Sequence, residues 1–395
     1  MSNAKSAPKR QFSGFMPANV RSVSSPALLD PNSIAPTNGT VLEENELEHV
    51  PSCDIVLDLL QLKDKKTLCD AVLNVTQTVL PDWAQGVTEV QLVRASGALT
   101  NAVFFVSAPN KPKLLLRIYG IGCESVVDRQ NELAWLARLA PMATLGPQVL
   151  ASFGNGRFEE YLESTTLTHA DMRDPQVSCQ IGEALRHLHS VTDIYPPSEN
   201  CRLEAWRNIT QYFTHLLELS SRDPHWADLW KRLELDQLPS QIEQLKKHVA
   251  KYSVIVFAHN DTQYGNVLRM HESGELVIVD FEYAGYNPRG FDIANHFTEW
   301  MYDYHCDQPH HMHLEYFPTH EERLRFATAY LEAGENKSHI TPEALLEEVE
   351  PWVMATLLHW ALWGLIQATQ SEIDFDYMEY ATERLVEFRK RLSQI

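Results

Sequence analysis

Cysteine is scarce in this sequence, and its placement argues against two classes of protein. The six cysteines of the 395-residue chain stand at positions 53, 69, 123, 179, 201 and 306. No Cys-x-x-Cys pair occurs, whereas zinc sites and disulfide-rich domains place cysteines at short, regular spacings. We therefore expect reduced thiols and a cytoplasmic protein.

Basic residues and long apolar runs are also in short supply. Lysine and arginine number 33 against 53 aspartates and glutamates, which gives a net charge of −20 at pH 7. A nucleic-acid-binding surface needs clustered positive charge, so we expect no nucleic-acid partner. The longest apolar run, residues 352–366, includes His359 and is shorter than the ~20 residues that a membrane-spanning helix needs. Residues 1–11 also lack the apolar segment of a signal peptide, so we expect a chain that is neither exported nor transmembrane.

The chain begins with a segment of low apolar content. Residues 1–50 are rich in Ser, Pro, Asn and Ala, and such a segment buries too little apolar surface to offset the entropy cost of ordering. We therefore predict a disordered tail over 1–50. From Asp54 the apolar residues recur at helical spacing until Pro81 closes the pattern, which predicts a helix over residues 54–80.

The residues that carry chemistry follow an apolar, strand-like run at 254–258. Two further strand patterns, separated by a turn signal, come after Asn266 and end at Asp280. A hairpin of this length would fold Asp280 back beside Asn266 and close to Asp261. Two carboxylates and an amide at one point suit phosphoryl transfer, because one carboxylate can orient a hydroxyl group while the other two side chains hold Mg²⁺.

These motifs resemble those of choline kinases. The run His-Asn-Asp-Thr-Gln-Tyr-Gly-Asn at 259–266 has the form found in aminoglycoside phosphotransferases and choline kinases, and the run Asp-Phe-Glu-Tyr-Ala-Gly-Tyr-Asn-Pro-Arg-Gly-Phe-Asp at 280–292 is similar to the choline kinase signature. The resemblance extends from about Glu89 to the C-terminus. It implies a two-lobed, protein-kinase-like α+β fold. The implied lobes are an ATP-binding, antiparallel-sheet N-lobe over 51–162 and a mainly helical, catalytic and choline-binding C-lobe over 163–395.

The resemblance assigns roles to the reacting and metal-binding residues. Asp261 would orient or deprotonate the hydroxyl group of the substrate. Asn266 and Asp280 would bind Mg²⁺ against the phosphates of ATP, with Glu282 as a further metal ligand. The implied catalytic set is therefore Asp261, Asn266 and Asp280.

The same resemblance places the nucleotide. A loop of small residues and Arg117 would hold the phosphates, with Glu132 on the next helix as the partner of Arg117. The adenine edge would be read by the backbone at 160–162. Without the resemblance, Arg117 would instead be interpreted as an exposed strand residue in a surface ion pair. The implied nucleotide-binding residues are Ser96, Gly97, Ala98, Leu99, Thr100, Asn101, Arg117, Glu132, Glu160, Tyr161, Leu162 and Gln263.

A second group of residues suits a positively charged substrate. Trp360 and Trp363 are three residues apart, so they lie on one face of a predicted helix. A trimethylammonium group has no strong hydrogen-bond donor, and aromatic faces with a nearby carboxylate can hold it. The alternative is that these tryptophans belong to the core, as we expect of Trp352. By resemblance to choline kinases, the substrate-binding set is Tyr283, Glu299, Tyr304, Trp360, Trp363, Phe375 and Tyr380.

The resemblance thus implies an ATP:choline phosphotransferase that forms phosphocholine, the first step of the CDP-choline route to phosphatidylcholine. The first alternative is a kinase that prefers ethanolamine or accepts both substrates. The second is a catalytically inactive, kinase-like binding protein, which is disfavoured because Asp261, Asn266 and Asp280 are all present. Members of this family often form dimers, so a homodimer is also an expected state.

Overall fold

The computed structural model describes most of the chain after residue 49. The described residues are 50–59, 62, 64–95, 101–120, 128–142, 145–249, 253–334, 340–371 and 373–395. The tail predicted over 1–50 lies almost wholly outside them. So do five residues of the predicted phosphate loop, Ser96, Gly97, Ala98, Leu99 and Thr100.

The first part of the chain is built on a sheet that has six strands among the described residues. They are β1 (Ser52–Cys53), β2 (Gln91–Arg94), β3 (Asn101–Ser107), β4 (Leu114–Tyr119), β5 (Val149–Phe153) and β6 (Gly156–Glu160). Their order is β1-β5-β6-β4-β3-β2, with β1 and β5 parallel and the other pairs antiparallel. Strand β4 is therefore an interior strand, and its Arg117 lies opposite Arg157 of β6.

The helices that accompany this sheet correct one prediction. They are α1 (Lys65–Val79), α2 (Pro81–Ala84) and α3 (Arg129–Leu139). Helix α1 begins after Asp64, whose carboxylate accepts the N–H of Thr67 and so satisfies one of the unpaired donors of the first turn. The helix predicted over 54–80 therefore started too early. Pro81 ends α1 as predicted, but it also opens α2, because proline at a first helical position has no N–H to lose.

Beyond residue 166 the chain is mainly helical. The helices are α4 (Pro175–His189), α5 (Glu204–Arg222), α6 (Pro224–Arg232), α7 (Leu238–Val249), α8 (Arg289–Glu299), α9 (His320–Glu332), α10 (Pro342–Val349), α11 (Trp352–Gln370) and α12 (Tyr377–Leu392). Helix α11 accounts for the long apolar run. Every residue from Trp352 to Gln367 is buried, and α11 packs against α5, α8 and α12, as a helix that is apolar all round must. Across the described residues, no helix is both long and apolar enough to cross a bilayer.

The remaining described strands form two small sheets. Their strands are β7 (Ser164–Thr166), β8 (Ile255–Ala258), β9 (Val267–Met270), β10 (Leu276–Ile278) and β11 (Gly285–Pro288). Strands β8 and β11 pair with each other, and the other sheet has the order β10-β9-β7. The hairpin of β9 and β10 was predicted, and its register sets Ile278 opposite Val267. Residues that follow β10 are thereby brought beside those that precede β9.

An apolar cluster, which we call the joining cluster, links the large sheet to this hairpin. Val103 and Leu115 from the sheet pack with Leu268 and Val277 from the hairpin, and Leu162 packs with them. The architecture is α+β as predicted, with the large sheet in the first part of the chain and most helices after it. The division of the lobes at residue 162 stays a prediction.

Candidate active site

The loop that carries Asp261 is anchored by a buried carboxylate. Asp292, on α8, accepts the backbone N–H of His259 at 2.7 Å and that of Asn260 at 2.8 Å. Nε2 of His189 lies 2.9 Å from the same carboxylate. Burial alone would raise the pKa of Asp292, but His189 and His259 hold it below its ordinary value. Asp292 closes the signature motif but was not among the predicted site residues.

Asp261 and Asn266 meet directly, as their spacing predicted. Nδ2 of Asn266 donates to Oδ2 of Asp261 at 2.8 Å and to its carbonyl oxygen at 2.9 Å. The N–H of Val279 donates to the carbonyl of Asn266 at 2.8 Å, which brings Asp280 beside this pair. Burial, followed by the charges of Glu299 and other nearby carboxylates, raises the pKa of Asp261 well above its ordinary value. The hairpin thus gathers the predicted catalytic residues at one point.

A chain of buried ion pairs runs from Asp280 into the large sheet. Arg117 donates from Nη1 to Oδ1 of Asp280 at 3.0 Å and from Nε to Oε1 of Glu159 at 3.1 Å. Arg157 donates from Nε to the same Glu159 oxygen and from Nη2 to Oε1 of Glu132, both at 2.6 Å. The predicted pairing of Arg117 with Glu132 is therefore wrong, because Arg157, opposite Arg117 in the sheet, pairs with Glu132 instead. Arg117 is buried, so its interpretation as an exposed strand arginine is wrong too.

Arg129 extends this chain of ion pairs to Glu282. Its Nη1 donates to Oε2 of Glu282 at 2.8 Å and to Oε2 of Glu132 at 2.9 Å. Its Nη2 donates to Oδ1 of Asn101 at 2.8 Å, and Asn101 is the part of the predicted phosphate loop that the structure describes. Burial would raise the pKa of Glu132, but Arg157 and Arg129 lower it to about 2. Glu282, the predicted further metal ligand, is thus paired with Arg129.

The predicted adenine-reading residues lie where the large sheet meets the rest of the chain. Strand β6 ends at Glu160, Tyr161 follows it, and Leu162 packs in the joining cluster. The other apolar residues of that cluster are buried against one another. Gln263 caps the turn before Asn266, since its Oε1 accepts the N–H of Gly265 at 2.6 Å.

The predicted aromatic residues converge on one region. The ring centroids of Trp360 and Trp363 are 5.4 Å apart, and that of Tyr380 lies 6.3 Å from Trp363. Nε1 of Trp363 donates to the hydroxyl of Tyr283 at 2.9 Å, and the Phe375 ring lies 5.5 Å from Tyr380. Both tryptophans also belong to the main hydrophobic cluster. The positions of Trp360 and Trp363 therefore agree both with the predicted substrate site and with the alternative that they belong to the core.

Glu299 lies beside these rings and already has two partners. Its Oε2 accepts the hydroxyl of Tyr304 at 2.6 Å, and its Oε1 accepts Nη2 of Arg384 at 2.9 Å. Tyr302 stacks on Tyr304 with 5.8 Å between ring centroids. Tyr302 and Arg384 were not among the predicted site residues. Their only signal is spacing, since Tyr302 precedes Tyr304 by two residues and Arg384 follows Tyr380 by one helical turn.

Comparison with known sequences decides the family. The sequence model of choline/ethanolamine kinases matches residues 92–389. This chain belongs to the choline/ethanolamine kinase family. It is 36% identical over 321 residues to the probable choline kinase 2 of Arabidopsis thaliana, an alignment that covers 79% of this chain and 89% of the relative. It is 31% identical over 356 residues to the probable ethanolamine kinase of the same plant, with coverages of 88% and 91%.

Solved structures of choline/ethanolamine kinases share the fold. An ethanolamine kinase of Plasmodium vivax superposes with a TM-score of 0.72 at 25% sequence identity, over 82% of this chain and 89% of that one. A choline kinase of Cryptosporidium parvum superposes with a TM-score of 0.66 at 23% identity, over 82% and 95%. The predicted two-lobed, protein-kinase-like fold is confirmed.

Membership of the choline/ethanolamine kinase family makes the chain a phosphotransferase, for which ATP is the expected phosphoryl donor. The relatives it resembles include both choline kinases and ethanolamine kinases at comparable identity. Choline and ethanolamine are therefore both candidate acceptors.

Proposed function

We propose that this kinase transfers the γ-phosphoryl group of ATP to the hydroxyl of choline, forming phosphocholine for phosphatidylcholine synthesis. The observation that supports this most is the aromatic wall of Trp360, Trp363 and Tyr380. Aromatic faces attract a quaternary ammonium group. The wall adjoins Glu299, whose charge acts on Asp261, so one small molecule can present its ammonium group to the wall and its hydroxyl to Asp261.

In this proposal Asp261 orients the hydroxyl of choline and accepts its proton. Its raised pKa suits a proton acceptor, and Nδ2 of Asn266 holds the carboxylate in place. Arg117 contacts the phosphates from β4, and its ion pairs with Glu159 and Asp280 fix the direction of its guanidinium.

Mg²⁺ fits the donor set beside Asp261. This ion prefers oxygen ligands and is commonly bound by one or two carboxylates together with substrate phosphates. Asn266 and Asp280 supply an amide and a carboxylate, and no three His, Cys, Asp or Glu side chains of the described residues form a metal cage by themselves. When bound, the ion neutralises charge on the β- and γ-phosphate oxygens. Glu282 can serve as a further ligand only with an oxygen that Arg129 does not hold.

Two alternatives have different support. An ethanolamine-preferring or dual-specificity kinase is favoured by the ethanolamine kinases among the relatives. An inactive binding protein is disfavoured because Asp261, Asn266 and Asp280 are present and meet at one point.

A coupled assay of ADP release tests the proposal, with choline, ethanolamine and an aminoglycoside compared under one set of conditions. We expect the largest kcat/KM with choline. A larger value with ethanolamine would make the chain an ethanolamine kinase, and no turnover with either amine would contradict the proposal.

We further propose a cytoplasmic location, which rests on the scattered cysteines, and a homodimer, which rests on the family resemblance. Cell fractionation tests the first. Light scattering coupled to size-exclusion chromatography tests the second, with a mass of about twice the 45.1 kDa chain expected.

A further inference from the structure

The aromatic region of the site already holds a cation that belongs to the chain. The guanidinium carbon of Arg384 lies 4.3 Å from the ring centroid of Tyr302 and 4.4 Å from that of Tyr380. Its Nη2 donates to Glu299, and its side chain has no exposed surface. Arg384 therefore already occupies the two kinds of group that attract a cation here, namely aromatic faces and the carboxylate of Glu299.

This arrangement changes what Glu299 can offer to a substrate. Arg384 pairs with its carboxylate and occupies Oε1, and the hydroxyl of Tyr304 occupies Oε2 at 2.6 Å. A primary ammonium group brings three N–H donors into the site, and buried donors that find no acceptor are costly. A trimethylammonium group has no N–H and needs only surfaces that attract a positive charge.

We propose that Arg384 is a specificity-determining residue, which favours a quaternary over a primary ammonium group by occupying the carboxylate of Glu299. This inference rests on the proposed acceptor, an amino alcohol. Arg384 acts through Glu299 and is thus a positioning residue.

The cost of burying Arg384 supports a role beyond packing. Within the part of the chain that the structure describes, its Nε and Nη1 have no hydrogen-bond partner. A buried ion pair with unsatisfied donors is often less stable than apolar residues of similar volume. Stability alone therefore gives little reason for an arginine at this position, whereas the effect on Glu299 does.

The test compares kcat/KM for ethanolamine and choline in matched variants. Arg384→Met keeps a long side chain between the two rings but frees Oε1 of Glu299. We expect the ratio of ethanolamine to choline kcat/KM to rise about tenfold, which corresponds to ~1.4 kcal/mol. Arg384→Lys keeps the positive charge and should stay closer to the wild-type ratio. Arg391→Met, on the same helix but paired with Glu387 and Glu350, is the control and should leave the ratio unchanged.

Tyr304→Phe leaves the ion pair of Arg384 and Glu299 in place and tests the same idea at Oε2 of Glu299. It retains the aromatic face but frees Oε2 of Glu299, so the ratio should rise in the same direction. If Arg384→Met does not fold, this variant decides. Calorimetric titration of both amines, with ADP present, gives a readout that does not depend on turnover.

The outcomes separate this inference from the proposed function. A wild-type chain that phosphorylates neither amine contradicts the proposed function. A wild-type chain that phosphorylates at least one, with equal losses for both amines in a folded Arg384→Met variant or an unchanged ratio in Tyr304→Phe, overturns the role of Arg384.

Discussion

The phosphate side and the acceptor side of the site both use buried arginines, but they leave different net charges. On the acceptor side Arg384 pairs with Glu299, and both side chains are buried away from solvent. On the phosphate side three arginines face four carboxylates, so a negative charge is left over, and the Asp280 side chain at the end of the chain of ion pairs is 29% exposed. The residues of the phosphate side are Arg117, Arg129, Arg157, Glu132, Glu159, Asp280 and Glu282.

This difference matches what each side has to bind. An open, unbalanced carboxylate suits a divalent ion that arrives with the nucleotide. A carboxylate among rings whose oxygens are already occupied suits a bulky cation that donates no hydrogen bonds. The same type of ion pair therefore leaves a carboxylate open on one side and occupies a carboxylate on the other.

The largest expected effect comes from removing the proton acceptor between the two sides. Asp261→Asn keeps an oxygen that can accept Nδ2 of Asn266, so the loop should stay in place. Loss of a general base costs about 10²–10⁴ in rate, and we expect kcat to fall by that factor while the affinity for Mg·ATP changes little. Steady-state kinetics and nucleotide titration measure the two quantities. A variant with nearly wild-type kcat would show that Asp261 is not the base.

Breaking the phosphate-side chain should be the next largest effect, and it should appear in stability. Arg157→Met leaves Glu132 and Glu159 buried without their shared partner, and breaking a buried pair costs about 3–5 kcal/mol. Lys113→Met removes a pair with Glu163 in which the side chains are 45% and 61% exposed. Exposed pairs contribute ~0–1 kcal/mol. Denaturant unfolding of both variants should show this contrast. Equal losses of unfolding free energy would mean that the buried network stabilises the fold no more than an exposed ion pair does.

The aromatic wall can be tested against a matched tryptophan on the same helix. Trp363→Ala should raise the KM for choline about 3- to 30-fold, because a cation–π contact contributes ~0.5–2 kcal/mol and ~1.4 kcal/mol is tenfold. Trp363→Phe should be milder, since an aromatic face remains. Trp352→Ala, which packs against Trp206 and Phe291, should lower stability without a selective loss of choline. A destabilised Trp363→Ala variant with an unaltered choline KM would place Trp363 in the core alone.

Local chain geometry explains which parts of the site were predictable. Asp261 and Asn266 lie in one loop, and a short hairpin returns Asp280 to them, so spacing was enough. The anchoring of this loop by Asp292 and the pairing of Arg157 with Glu132 depend on elements that are distant in sequence. No local pattern distinguishes a buried strand glutamate such as Glu159 from an exposed one before the sheet order is known.

The fold shows the same limit. The hairpin and the buried helix α11 follow from periodicity and apolar content, whereas the start of α1 depends on a single capping side chain, Asp64. The ion-pair partner of Glu299 could not be predicted from the sequence for a similar reason. Arg384 lies on a different helix, and arginines on helices are usually solvated.

The smallest expected effect tests how strictly the acceptor side excludes further charge. His359 on α11 is buried beside Trp360, and burial, with Arg384 as the next cause, lowers its pKa to about 3. The unfolded chain binds this proton near pH 6.5 and the native state does not, so native stability falls as the pH drops from 6.5 towards 3. Between pH 6.5 and 5.5 the wild type should therefore lose about 1 kcal/mol of unfolding free energy through this histidine. His359→Leu should not show this part of the loss. His225→Leu, at an exposed position, should leave that loss unchanged. Denaturant unfolding at pH 6.5 and 5.5 measures the loss of unfolding free energy. An equal loss in His359→Leu and the wild type would mean that this imidazole is protonated in the native state.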